Sequence, residues 1–155
     1  MVNMKEIKLT KGKIAVVDDE DFESLNKFKW LSYNRYAARA TYVTGDGKQT
    51  WIFMHRFLKN CPKNLQVDHI NRNTFDNRKC NLRIATHQQN SFNHPGYGNR
   101  GITKITNRPL KKPYCVRLMI NGKGLYFGYY KTIKEAKKVW KSKAKEYYGE
   151  FSNIE

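Results

Sequence analysis

The chain has 155 residues, with 30 Lys and Arg against 13 Asp and Glu, for a formal net charge of +17. That balance selects polyanions as partners, while 39% hydrophobic and 14% aromatic residues exclude a disordered basic tail. No run approaches the roughly 18 apolar residues of a membrane span, Met1 opens no secretory-type segment, and Cys61, Cys80 and Cys115 form no Cys-x-x-Cys pair, which argues against a disulfide framework or a zinc ribbon.

The expectation is a soluble cytoplasmic protein with reduced, buried thiols. Its charge is uneven: nine Lys/Arg and seven Asp/Glu in residues 1–50, seven and two in 51–95, fourteen and four in 96–155.

Residues 1–50 read as a β-rich flank around one helix. Ile7, Leu9 and the run Ile14–Val17 are strand-like, and Phe22, Leu25 and Phe28 recur at helical spacing. Tyr36–Val43 and Thr50–Met54 flank Gly45-Asp46-Gly47, a hairpin-turn composition. The run Asp18-Asp19-Glu20-Asp21 suits the positive end of the helix dipole better than a metal cluster.

Residues 51–95 hold all four histidines and both an extended piece, Gln66–Ile70, and a second one, Asn81–Ala85. Between them Asn71, Asn73 and Asn77 have the composition of turn formers. Thr86-His87-Gln88-Gln89 reads as a capping box that opens a helix and places Asn90 in its first turn. The local unit is strand, loop, strand, helix.

His94-Pro95-Gly96-Tyr97-Gly98 is a breaker cluster. Beyond it, Gly101–Thr106, Tyr114–Ile120 and Leu125–Tyr130 are strand-like, the last two joined through Asn121-Gly122. A second capping box, Thr132 to Glu135, starts a helix that Gly149 ends, with Ala136, Val139, Trp140, Ala144 and Tyr147 along one side. Strand alternation turns Tyr114, Val116, Leu118 and Ile120 toward that helix and Arg117 away, with Phe127 and Tyr129 inward and Tyr126 and Tyr130 outward. The helix lysines read as a solvated face. The expected class is α+β: N-terminal strands with a strand-strand-helix core, then a small three-stranded antiparallel sheet packed on one helix.

A basic protein that cuts a phosphodiester needs a divalent metal and a base to activate water. Asp68-His69 offers both, and Asp68 and Asp76 are the only carboxylates in residues 51–95. A site so poor in negative charge holds a free metal weakly, so metal and DNA should bind together.

The stretch His55-Arg56, Val67-Asp68-His69-Ile70-Asn71, Asp76-Asn77, Asn81-Leu82-Arg83 and Asn90 resembles the HNH nuclease family with its ββα-metal fold. The resemblance implies Asp68 and Asn90 as metal ligands, His69 as general base, and Asn81 as the residue that holds the loop and orients His69. Asn at the last position is similar to the phage and intron-encoded homing branch, and oxygen ligands favour one Mg²⁺ or Mn²⁺. His55 is expected to be structural and Arg56 a phosphate contact.

Residues 97–155 resemble the ethylene-response-factor (Apetala-type) DNA-binding domain, through Arg100-Gly101-Ile102, Tyr114-Cys115-Val116-Arg117 and Tyr126-Phe127-Gly128. That resemblance implies DNA contacts from Arg100, Lys104, Arg117 and Tyr126, with Met119 and Gly124 standing where plant members usually carry Arg.

The expectation is a sequence-directed DNA endonuclease of homing type, organised as flank, nuclease core (51–95) and DNA-binding domain (97–155). It would act on double-stranded DNA as a monomer or weak homodimer, in a bacterial host's cytoplasm if phage-encoded. The rival is a DNA-binding regulator whose nuclease segment is an inactive scaffold.

Overall fold

A computed structural model describes residues 3–42, 48–94, 101–107 and 109–152. The chain divides into two compact units, Met1–His87 and Gln88–Glu155, both of mixed α+β character. Among the described residues no helix is long and apolar enough to cross a membrane.

The first unit opens with an antiparallel pair, β1 (Met4–Lys8) and β2 (Ile14–Asp18), turned through Lys11 and Gly12 at positive φ. Helix α1 (Asp19–Asn26) follows, with Asp19, Glu20 and Asp21 in its first turn, where their charge suits the exposed backbone N–H groups. Strands β3 (Leu31–Tyr33), β4 (Tyr36–Tyr42) and β5 (Gln49–Phe53) form a three-stranded antiparallel sheet in that order. The expected turn at Gly45-Asp46-Gly47 lies outside the described residues.

One face of this sheet closes the core. Ala15, Val17, Leu25, Trp30, Ala37 and Met54 are buried together, and the Trp30 Nε1 donates to the Leu25 carbonyl at 2.8 Å. The short helix α2 (Met54–Leu58) leads to the hairpin of β6 (Gln66–His69) and β7 (Leu82–Ala85). Its loop is built into the N-terminal strands. Val16 bridges Asp76 in parallel fashion, donating its N–H to the Phe75 carbonyl (2.8 Å) and accepting from the Asn77 N–H (2.7 Å).

The acidic run finishes the attachment. Buried Asp18 accepts from the Lys79 N–H at 2.7 Å, and Lys79 Nζ reaches Glu20 (2.7 Å) and Asp21 (2.9 Å). Those carboxylates therefore serve both the start of α1 and the loop of the later hairpin. The sequence reading supplied only the first of these.

The second unit takes in most of α3 (His87–Asn93), then β8 (Ile102–Lys104), β9 (Tyr114–Ile120), β10 (Lys123–Tyr130) and α4 (Ile133–Tyr148). The sheet order is β10-β9-β8, antiparallel throughout. Val116 and Leu118 on β9 meet Ala136, Trp140 and Ala144 on α4, all buried. Gly101 lies against the Trp140 indole so closely that any Cβ would overlap it.

Helix α4 is capped as expected at its start: Thr132 Oγ1 accepts from the Glu135 N–H at 3.2 Å. Its apolar stripe ends on Tyr148 rather than Tyr147. Tyr148 is buried and stacks on Phe92 of α3 (centroids 3.5 Å apart), while Tyr147 is 43% exposed. The lysines 134, 137, 138, 141 and 145 are exposed.

Two further expectations need correction. On β10 a register shift between Tyr126 and Tyr129, with Gly128 at φ +107°, adds a residue to the strand. A bulge of that kind reverses the alternation beyond it. Tyr129 therefore faces outward beside Tyr126, and Tyr130 turns in, its hydroxyl donating to the Phe127 carbonyl at 2.7 Å. The thiols are free but not buried: Cys80 is exposed, and Cys61 and Cys115 are half-buried, because none of the three falls on a core-facing position.

Candidate active site

The β6–β7 pairing fixes the site. Val67, Asp68 and His69 face Ile84, Arg83 and Leu82 in register, so two consecutive reactive residues leave the strand from opposite sides at its C-terminal end.

On one side, Asp68 meets the residue directly across from it. Arg83 Nε lies 2.8 Å and Nη2 2.7 Å from Asp68 Oδ2, and both side chains are nearly sealed, at 4% and 11% exposure. On the other side, His69 stands at the end of an aromatic wall. Tyr33 stacks on Trp51 at 3.9 Å, Phe53 packs on Tyr36 at 5.8 Å, and Tyr36 and His55 approach the His69 ring at 6.0 and 5.2 Å. The wall comes from the face of the β3–β4–β5 sheet that does not close the core.

That wall sets the protonation states. Burial pushes the His55 imidazole down to about 3, with repulsion from His69 and Arg56 adding to the effect. Burial also lowers His69, against the pull of the Asn77 side chain, Asp68 and Asp76. A lowered imidazole is neutral at neutral pH, the form that can take a proton from water.

The loop between the strands is held by its own amides. Asn81 Oδ1 accepts from the Asn71 N–H at 2.9 Å and its Nδ2 donates to the Asp76 carbonyl at 2.8 Å, closing the loop across its base. Asn71 Oδ1 accepts from the Asn73 N–H, and Asn73 Oδ1 from the Phe75 N–H. Asp76 is saturated: Arg78 grips both its oxygens (2.8 and 2.7 Å) and the Asn71 amide donates to it as well. Those partners hold its carboxyl below the ordinary range, Arg78 foremost. Asp76 is thus a structural carboxylate.

The residues expected from sequence divide accordingly. Asp68, His69 and Asn81 come together in the first unit. The amide of Asn81 is committed to the loop, and the fully buried Asn77 side chain donates to the Phe75 carbonyl at 3.2 Å. Asn90 lies on α3 in the second unit.

Arg56 is engaged by the chain itself. Its guanidinium donates to the carbonyls of Leu65 (2.8 Å), Cys61 (3.2 Å) and Pro62 (2.8 Å), and so clamps the connection into β6. In the second unit Arg117 and Tyr126 pair across β9 and β10 on the outward face. Lys104 does not join them: it registers with Tyr114 and lies over that ring, on the helix side of the sheet. Arg100 lies outside the described residues.

Sequence reasoning missed three contributors. Arg83 and Asn77 fall within the family-like stretch but received no site role, because what they touch depends on hairpin register and loop path. Val16 acts through its backbone alone, which a sequence cannot reveal.

The donor chemistry at Asp68 fits a hard divalent ion, which prefers oxygen and keeps much of its shell as water and phosphate. Among the described residues no group of three His, Cys, Asp or Glu is placed to hold a metal.

A family model described as HNH endonuclease matches residues 47–92, the span from β5 into α3. The chain is also 32% identical over 151 residues to a protein of Acanthamoeba polyphaga mimivirus named an uncharacterized HNH endonuclease, an alignment covering 92% of this chain and 74% of that one. The chain belongs to the HNH endonuclease family. Membership in the HNH endonucleases implies a nuclease acting on DNA, and enzymes of this family generally use a divalent metal. No solved structure matches the chain.

Proposed function

We propose that this HNH endonuclease is sequence-directed and of homing type, and that it hydrolyses phosphodiesters of double-stranded DNA with one Mg²⁺ or Mn²⁺, leaving 5′-phosphate and 3′-hydroxyl ends. The observation that carries the reading is the end of β6, where a sealed carboxylate and a neutral, walled imidazole leave one strand from opposite sides.

In this reading His69 takes a proton from the attacking water, and the aromatic wall keeps the imidazole neutral beforehand. Asn81 holds the loop and, by family resemblance, orients the ring. Asp68 would hold the metal, with Asn90 assigned as a second oxygen ligand by family resemblance. When bound, the ion stabilises charge on the phosphate and the leaving 3′ oxygen.

The outward face of the β8–β9–β10 sheet, with Arg117, Tyr126 and Tyr129, is the proposed DNA-facing surface of the ethylene-response-factor-like module. Basic and aromatic side chains on an open sheet suit phosphate anchoring first. One active site per chain accounts for a nick by a monomer, and a double break would take a weak dimer or two visits.

Purified protein with Mg²⁺ should nick a supercoiled plasmid. His69→Ala should lower nicking by about 10²- to 10⁴-fold, the usual worth of a positioned base, while a salt-sensitive gel shift persists. A variant that cuts like the parent would remove His69 from this role.

A further inference from the structure

We infer that Arg83 makes metal loading at Asp68 conditional on bound DNA: it holds the carboxylate in place and cancels its charge until a phosphate arrives. This rests on the reading of Asp68 as a metal ligand.

Position comes first. Asp68 and Arg83 are direct cross-strand partners in the β6–β7 pair. Two donors of one planar group converge on a single oxygen, Nε at 2.8 Å and Nη2 at 2.7 Å. A lysine could supply the charge but not that fork.

Charge comes second. The nearby carboxylate, Asp76, is matched by Arg78 through both oxygens. Among the described residues no group of three His, Cys, Asp or Glu is placed to hold a metal ion. A dication approaching Asp68 therefore meets a carboxylate already neutralised at contact distance, and the Coulomb attraction of the one largely cancels against the repulsion of the other.

The missing negative charge has an obvious source in the substrate. A DNA phosphate contributes both a charge and oxygen ligands of the kind hard ions prefer. Metal then loads where DNA lies, and the free enzyme stays largely unloaded. Such an arrangement keeps a nuclease quiet until it is on its substrate.

The test measures Mn²⁺ binding by electron paramagnetic resonance on the full chain, in a His69→Ala background so that added duplex stays intact. The duplex is a mixed-sequence fragment pool at low salt and pH 8. DNA should tighten Mn²⁺ binding at least tenfold. Arg83→Gln should tighten Mn²⁺ binding to the free protein at least fivefold and shrink the effect of DNA, whereas Arg83→Lys, which keeps the charge, should leave free binding weak.

Equal Mn²⁺ affinity with and without DNA overturns the inference, and needs no Arg83 variant to show it. So does an Arg83→Gln protein, folded by circular dichroism, that binds free Mn²⁺ no better than the parent. If Asp68→Asn binds Mn²⁺ on DNA as tightly as the parent, the assignment of Asp68 as ligand is what fails.

Discussion

Two hairpins carry the side chains proposed for function, and they are built on opposite plans. The β6–β7 hairpin closes through a long loop in which nearly every polar group has a protein partner: Asn71, Asn73, Asp76 and Asn81 bind one another's backbone or side chains. The β9–β10 hairpin closes through Asn121 and Gly122, both at positive φ as a two-residue turn requires. Its outer face leaves Met119, Tyr126 and Tyr129 about half exposed. A saturated loop fixes geometry, as chemistry at a phosphorus centre demands. An open face keeps its contacts for a partner. Polar residues of the first hairpin should therefore matter to stability and rate together, and those of the second to binding alone.

The largest expected effect on stability comes from Asn81→Ala. It removes both closures of the loop and leaves the Asn71 N–H and the Asp76 carbonyl without their present partner. At about 1–3 kcal/mol for each buried group so stranded, the loss should be about 2–4 kcal/mol, allowing for some access of water. Urea unfolding followed by tryptophan fluorescence would measure it. A loss under about 0.5 kcal/mol, the range of ordinary surface changes, would mean that the loop does not depend on its amides.

Of similar size is a difference in acid sensitivity between the units. His55 is buried with its imidazole held near 3, below the ordinary value of about 6.5 in an unfolded chain. Between those values the unfolded chain binds the proton and the folded one does not. Stability from the neutral ring is thus fully present above about 6.5 and falls as pH drops toward 3, by about 1.4 kcal/mol per pH unit for one proton. His69, also lowered, adds in the same direction. Asp76, depressed by Arg78, adds a loss at lower pH still, below the usual carboxylate value of about 3.9. Among the described residues of the second unit no carboxylate or imidazole is buried. Amide hydrogen exchange on the full chain at pH 7, 5 and 4 should show the first unit opening before the second, and His55→Phe should flatten that difference.

The contrast between the hairpins was only half legible in the sequence. Strand–loop–strand–helix, the Asn-Gly turn and the capped helix were readable because each rests on local chemistry: turn formers, caps and periodicity. Asp68, His69 and Asn81 were readable as a set because the spacing of three polar residue types matched a family. What stayed hidden depends on register and on contacts between distant segments. The Asp68–Arg83 pair, the Asn77 carboxamide beside His69, the clamp made by Arg56 and the tether from Asp18 to Lys79 all arise that way. The inversion of Tyr129 and Tyr130 has the same origin, since one bulge at Gly128 shifts the phase of everything after it.

The smallest effect is the one that tests the open face. Arg117 and Tyr126 face each other across β9 and β10, with Tyr129 beside them at 5.4 Å from the Tyr126 ring. Neither Arg117 nor Tyr126 contributes to the helix side of the sheet, so Arg117→Ala and Tyr126→Ala should each leave unfolding stability within about 0.5 kcal/mol. Arg117→Ala should weaken DNA binding at moderate salt by several-fold and reduce the slope of log affinity against log salt by about 1, the signature of one lost phosphate contact. Tyr126→Ala should weaken binding without changing that slope, because a ring contributes contact area and no counterion release. Arg56→Lys, on the helix that leads into the other hairpin, serves as the control: its guanidinium holds three carbonyls, so the change should lower stability and leave the salt slope untouched. A salt slope that moved with Arg56 and not with Arg117 would exchange the roles assigned to the two hairpins.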